Sequence, residues 1–122
     1  MNLKAGQVFW YEVDYPKTGE TEIRPVAIVG IIDGLPIFVV FVALTHSKIK
    51  DFEGKYDKWK IPLFKGRDCG LGESTFAKVN CVAQAEASSF NSSDYIGQLN
   101  PIDLKNVKKK LMEFLDSGDG FW

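Results

Sequence analysis

Two apolar runs flanking a turn constrain this chain more than any other feature. Residues 25–32 read PVAIVGII and residues 37–44 read IFVVFVAL, with Asp33-Gly34 between them. Runs this short, rich in β-branched and aromatic residues and bounded by turn residues, read as strands buried in the middle of a sheet. Asp-Gly is a strong hairpin signal, and Pro36 lengthens the turn beyond two residues. The expected centre is therefore an antiparallel pair whose open end lies near residues 24 and 45.

Further strands are expected around it. Residues 7–15 (QVFWYEVDY) alternate Phe9, Tyr11, Val13 and Tyr15 with Val8, Trp10, Glu12 and Asp14, the period of a strand with one mainly apolar face. The polar residues 16–20 turn the chain, and 19–22 read as an acidic loop. Residues 45–57 have no apolar period and read as a long exposed connection. A fourth strand is expected at 59–64, with Pro62 putting it at an edge or bulge, and a fifth at 75–83 beyond the glycines at 66, 70 and 72. A short sixth is expected near 95–99. Trp59 and Phe64 are expected to turn into the core, as is Cys81, while Cys69 sits in a turn.

The last stretch changes period. Asn100 is a cap, Pro101 suits the first helical turn, and Leu104, Val107, Leu111, Phe114 and Leu115 recur at helical spacing before Gly118. The expected fold is mainly β with one C-terminal helix, a small SH3-like barrel of five to six strands. It forms one domain over 1–122, with the barrel at 1–99 and the helix at 100–117.

Composition then excludes several classes of function. With 15 Lys plus Arg against 16 Asp plus Glu, any polyanion site must be a local patch. The longest apolar region, 26–44, is cut by Asp33, Gly34 and Pro36, so no membrane span is expected, and the first residues do not read as a signal peptide. The expected location is the cytoplasm, with Cys69 and Cys81 reduced. Two cysteines and one histidine make no standard zinc site, and no metal or other cofactor is expected. The glycines at 66–72 lack the Lys-Ser/Thr of a phosphate loop, and there is no Gly-x-Ser-x-Gly elbow.

Two junctions remain as candidate chemistry. Pro25 keeps Arg24 extended at the mouth of the second strand, where a guanidinium can grip a phosphate through paired hydrogen bonds or pair with Glu20 or Glu22. Thr45-His46-Ser47 lies at the end of the third strand. If the hairpin forms, Arg24, a hydroxyl and the only imidazole converge; otherwise His46 is a solvated loop residue. Residues 48–67 hold seven cations against three acids, interleaved with aromatics. Lys48, Lys50, Phe52, Lys55, Tyr56 and Lys58 thus make a candidate surface for single-stranded nucleic acid or a solvated loop.

In order and spacing these features resemble the MazF/PemK family of toxin-antitoxin ribonucleases. The resemblance runs through Lys4-Ala5-Gly6-Gln7-Val8-Phe9-Trp10, Arg24-Pro25-Val26-Ala27-Ile28-Val29, Ala43-Leu44-Thr45, Gly70-Leu71, Ser74-Thr75-Phe76-Ala77-Lys78-Val79 and Ile96-Gly97-Gln98-Leu99. It implies an SH3-like barrel, usually a homodimer, that cleaves single-stranded RNA without metal and is restrained by a cognate antitoxin protein. It also implies that Arg24 is the catalytic arginine, Thr45 its hydroxyl partner, and the reaction attack of the ribose 2′-OH on the adjacent phosphate. Glu20, Glu22 and His46 are the candidate proton acceptors. The connection after Thr45 is longer and more charged than is usual in the family, and His46 stands where some members carry a second hydroxyl or amide. The alternatives are a non-enzymatic barrel that binds a protein target such as gyrase, for which Phe121-Trp122 is a candidate anchor, and an inactive scaffold relative.

Overall fold

The computed structural model describes residues 2–15, 18–51, 53–54, 57–65, 70–71 and 74–121. Its elements are β1 (Gln7–Tyr15), β2 (Glu20–Ile32), β3 (Phe38–Thr45), β4 (Lys60–Leu63), β5 (Thr75–Glu86), β6 (Tyr95–Gln98) and α1 (Pro101–Ser117), with two single 3-10 turns between β5 and β6. The strands form one antiparallel sheet in the order β4-β5-β3-β2-β1-β6. This is the expected class: mainly β, with one C-terminal helix.

Strict alternation gives the sheet two buried faces. Val8, Ala27, Val29, Val42, Leu44 and Val79 point to one side and pack with Val107, Leu111 and Phe114 of α1. Phe9, Val13, Val26, Ile28, Val39 and Phe41 point to the other and pack around Phe90. On that side Phe90 stacks on Tyr11 at 4.2 Å and meets Phe9 edge-on at 5.4 Å. Register shifts at Val8/Phe9, Ile28/Gly30 and Val42/Ala43 interrupt the ladders of β1, β2 and β3, and such bulges bend and twist a strand.

The helix begins as its sequence directs. The Asn100 side chain accepts from the Ile102 amide at 2.9 Å, and Gly118 closes the helix at φ 76°, a conformation that favours glycine. Asp103, in the first turn of the helix, is buried and accepts from the amides of Phe64 at 3.0 Å and Lys65 at 2.8 Å. It therefore ties the end of β4 to α1.

Several local expectations are corrected. Phe64 is 74% exposed rather than in the core, because β4 ends at Leu63 and the next amides turn to Asp103. Leu115 is likewise exposed, so the buried stripe of α1 ends at Phe114. Residues 20–22 are strand, not loop, since β2 pairs with β1 down to Tyr15–Glu20. Trp59 and Cys81 are buried as expected, while Cys69 lies outside the described residues. After α1, Asp119 accepts from Lys58 Nζ at 3.1 Å and Trp59 Nε1 at 3.0 Å, and the Phe121 ring meets Phe114 edge-on at 5.2 Å. Among the described residues no helix is long and apolar enough to cross a membrane.

Candidate active site

The pairing of β2 with β3 stops at Val26–Ala43. Arg24 and Thr45 lie two residues beyond that pair on their own strands, while β2 continues beside β1 and β3 continues beside β5. Pro25 sits at the point of separation; it carries no amide hydrogen, and a strand edge is where that loss is tolerated. A cleft of about 250 Å³ opens there, lined by Tyr15, Arg24, Ala43, Leu44, Thr45, Ser47, Lys60, Lys78 and Cys81.

Arg24 is half-buried. Its Nε and Nη2 both reach Glu22 Oε2, each at 2.6 Å, since residues two apart share a face of a strand. The guanidinium carbon also lies 5.8 Å from the centre of the Tyr15 ring. Burial raises the Tyr15 phenol, against the opposing pull of Arg24. Glu20 shares that face of β2 but is four residues from Arg24, about 13 Å along the strand.

On the opposite wall, Thr45 Oγ1 accepts from the Ser47 amide at 3.1 Å, leaving its own O–H to donate. Lys60 is buried; its Nζ donates to Ser47 Oγ at 3.1 Å and to Asp57 Oδ1 at 2.8 Å. Asp57 Oδ2 in turn accepts from the amides of Lys50 at 2.9 Å and Asp51 at 3.3 Å. The Lys60 bond above all, then the Lys50 amide, holds the Asp57 carboxyl down at about 2. This network fixes the connection after β3 to the wall of the cleft.

Lys78 and Cys81 enter from β5. Burial lowers the Lys78 ammonium, and raises the Cys81 thiol to about 11 against the opposing pull of Lys78 and Arg24. The cleft thus gathers three cations, Arg24, Lys60 and Lys78, and the Thr45 hydroxyl, with the Glu22 and Asp57 carboxylates bonded to Arg24 and Lys60 behind its lining. Chemically it can hold an oxyanion, donate several hydrogen bonds to it and accept a proton beside it.

The candidates from sequence divide on this geometry. Arg24 and Thr45 line the cleft, and Glu22 reaches it only through its pair with Arg24. His46 does not line it: its exposed ring faces the start of β5, with Nδ1 2.9 Å from the Ser74 carbonyl and 3.3 Å from Thr75 Oγ1. A carbonyl only accepts, so Nδ1 carries the proton of the neutral ring. Lys48, Lys50 and Lys58 are exposed on the connection between β3 and β4, with Lys58 drawn to Asp119. Phe52, Lys55 and Tyr56 lie outside the described residues. Sequence reasoning missed Tyr15, Lys60 and Lys78 as walls of the site, while Ser47 belongs to the junction it singled out. The available signal was a lysine inside an otherwise uncharged alternating strand: Lys78 is the one charged residue between 75 and 85. Among the described residues, no three His, Cys, Asp or Glu side chains gather as metal ligands.

No protein-family model matches the chain, and no curated protein matches it. Solved structures do. An endoribonuclease in complex with its cognate antitoxin, from a mycobacterial species, superposes with a TM-score of 0.64 and 17% identity, over 94% of this chain and 96% of that one. A second mycobacterial endoribonuclease gives 0.64 and 17%, over 95% and 94%. At that identity the likeness is one of fold, and it extends over nearly the full length of both partners.

Proposed function

We propose that this chain is the toxin of a toxin-antitoxin pair, a metal-independent endoribonuclease of the cytoplasm that cleaves single-stranded RNA and is restrained by a cognate antitoxin protein. The observation that carries the reading is the convergence of Arg24 and Thr45, from two strands that part company, in one cationic cleft. The shared fold with two endoribonucleases supports it.

In this reading the scissile phosphate displaces Glu22 from Arg24. Glu22 takes the proton of the ribose 2′-OH, whose oxygen attacks phosphorus. Arg24 and the Thr45 hydroxyl stabilise the charge that grows on the phosphoryl oxygens, with Lys60 and Lys78 adding to the field. The P–O5′ bond breaks, Lys78 returns a proton to the leaving oxygen, and the products carry a 2′,3′-cyclic phosphate and a 5′-OH. Glu22 is preferred as base over Glu20, which is too far along β2, and over His46, which faces β5. Lys48, Lys50 and Lys58 extend the nucleic-acid surface, and Phe52, Lys55 and Tyr56 remain candidates for it from the sequence.

The test is cleavage of a long unstructured RNA in EDTA by the intact protein beside Arg24→Ala, with new 5′-OH ends read by kinase labelling. Ends made by the intact protein alone are the expected result. Equal cleavage by both proteins removes Arg24 from the chemistry, and no cleavage by folded intact protein overturns the reading. A homodimer is also proposed, supported by the exposed apolar side chains Ile31, Ile32, Leu35 and Ile37. Sedimentation at micromolar concentration yielding only monomer would remove it.

A further inference from the structure

Next to the cleft lies a second cavity, of about 360 Å³, within the range of ligand pockets. The two share Tyr15 and Cys81 as lining residues, so they adjoin across that wall. Val13 and Val82 give it apolar walls, and Tyr15 and Phe121 supply aromatic rings. Phe121 is held in place although half-exposed. Its ring rests on Phe114, and Asp119, two residues before it, is fixed by Lys58 and Trp59.

Polar groups of one kind complete the cavity. Asp14 brings a carboxylate to its lining. Asn80, 5% exposed, lies in its wall with an amide Oδ1 that is buried and has no hydrogen-bond partner among the described residues. Both are acceptors that want a donor, and an unmatched buried acceptor is costly. Flat apolar walls beside acceptors suit an unstacked nucleobase with an exocyclic amino group; uracil offers only its N3–H, set between two carbonyl oxygens that such acceptors repel.

We propose that this cavity is a base-recognition subsite that takes the nucleobase next to the scissile phosphate and favours bases with an exocyclic amino group over uracil, with Phe121 as its stacking wall. The proposal rests on the ribonuclease reading given above and adds the substrate preference of that same site. Asn80 is a specificity-determining residue here and Phe121 a base-binding one; neither takes part in bond making.

The experiment has two arms. In the first, cleavage of an RNA pool randomised at the positions flanking the cut is sequenced for the intact protein, Phe121→Tyr, Phe121→Leu and Asn80→Leu. The intact protein and Phe121→Tyr should disfavour uracil at one flanking position, by about 5- to 100-fold, the worth of one satisfied buried acceptor. Phe121→Leu keeps apolar bulk but loses the ring face, and should weaken binding of every base at that position about tenfold while keeping their order of preference. Asn80→Leu should lose the discrimination against uracil while staying folded, since a buried acceptor is replaced by a side chain of similar size. In the second arm, an oligonucleotide with 2-aminopurine at that position and a 2′-deoxyribose at the cut is bound without being cleaved. Its fluorescence should be quenched by the intact protein and recover with Phe121→Leu. Cleavage by the intact protein with an identical base profile in Asn80→Leu overturns the subsite and leaves the ribonuclease reading standing. No cleavage and no binding of the 2-aminopurine oligonucleotide overturns both.

Discussion

At the turn end of the β2–β3 pair, Ile31, Ile32, Leu35 and Ile37 stand exposed around Asp33; at the opposite end, Arg24 and Thr45 share a small cleft with two lysines. The same two strands form both ends. Near the turn the ladder runs on to Ile32–Phe38 and the backbone groups satisfy one another, so the side chains are left to face solvent. At the other end the ladder stops at Val26–Ala43 and each strand follows a different neighbour. The separation makes a hollow, and the hollow collects charge. The apolar end is suited to association and the parted end to chemistry.

The largest effect should come from the middle that both ends share. Phe41 is buried opposite Ile28, and Phe41→Ala should cost about 3–5 kcal/mol in denaturant unfolding and weaken both ends together. If only one end responds, the two are not coupled through the ladder. Next, Arg24→Ala should lower the cleavage rate about 100- to 1000-fold while changing stability by no more than about 1 kcal/mol, because its pair with Glu22 is partly exposed. A large loss of stability would make Arg24 structural and erase the contrast.

Two pH responses sharpen the charged end. Cys81 has its thiol raised from 9.0 to about 11, so its contribution to stability is complete below about pH 9 and is lost as pH rises through 11. At pH 9, iodoacetamide should label Cys81 in the folded protein about 10- to 100-fold more slowly than in urea, as peptide mapping would read. Asp57 is lowered from 3.8 to about 2, so its contribution is complete above about pH 4 and is lost as pH falls toward 2. The protection factors of the Lys50 and Asp51 amides, taken relative to intrinsic exchange at each pH, should fall over that interval and hold steady above it. The smallest effect belongs to the turn: Leu35→Asn should change stability by less than about 0.5 kcal/mol and leave cleavage untouched.

Which parts of this were legible in the sequence follows from how each is stabilised. β1, the centre of β2–β3 and α1 carry their own periodicity, and their bounds fall within a residue or a few of those expected. The first part of β2 does not. Glu20 and Glu22 read as a loop, and only the β-branched Thr21 and Ile23 beside them hint at a strand; pairing with β1 decides it. The far end of β5 is similar, because Ala83, Gln84 and Ala85 are poor strand formers held by β3. At the site, the meeting of Arg24 and Thr45 follows from counting along a hairpin. Lys60, Lys78 and Tyr15 arrive from other strands across the sheet, and no spacing in the sequence reports that. Asp103 hid in the same way: a first-turn acid looks alike whether it faces water or holds two amides of β4.

The Glu22–Arg24 pair has a consequence for how the cleft chooses what enters it. Glu22 is tethered two residues away on the same strand, so it competes with any visiting anion at an effective concentration on the order of millimolar or more, and dilution never lowers it. A dilute free monoanion loses that contest. A phosphodiester within a longer chain arrives with its own tether, because contacts elsewhere along the strand raise its local concentration in the same way. The carboxylate therefore acts as a threshold: it discounts small anions, which depend on bulk concentration alone, and admits polymers, which do not.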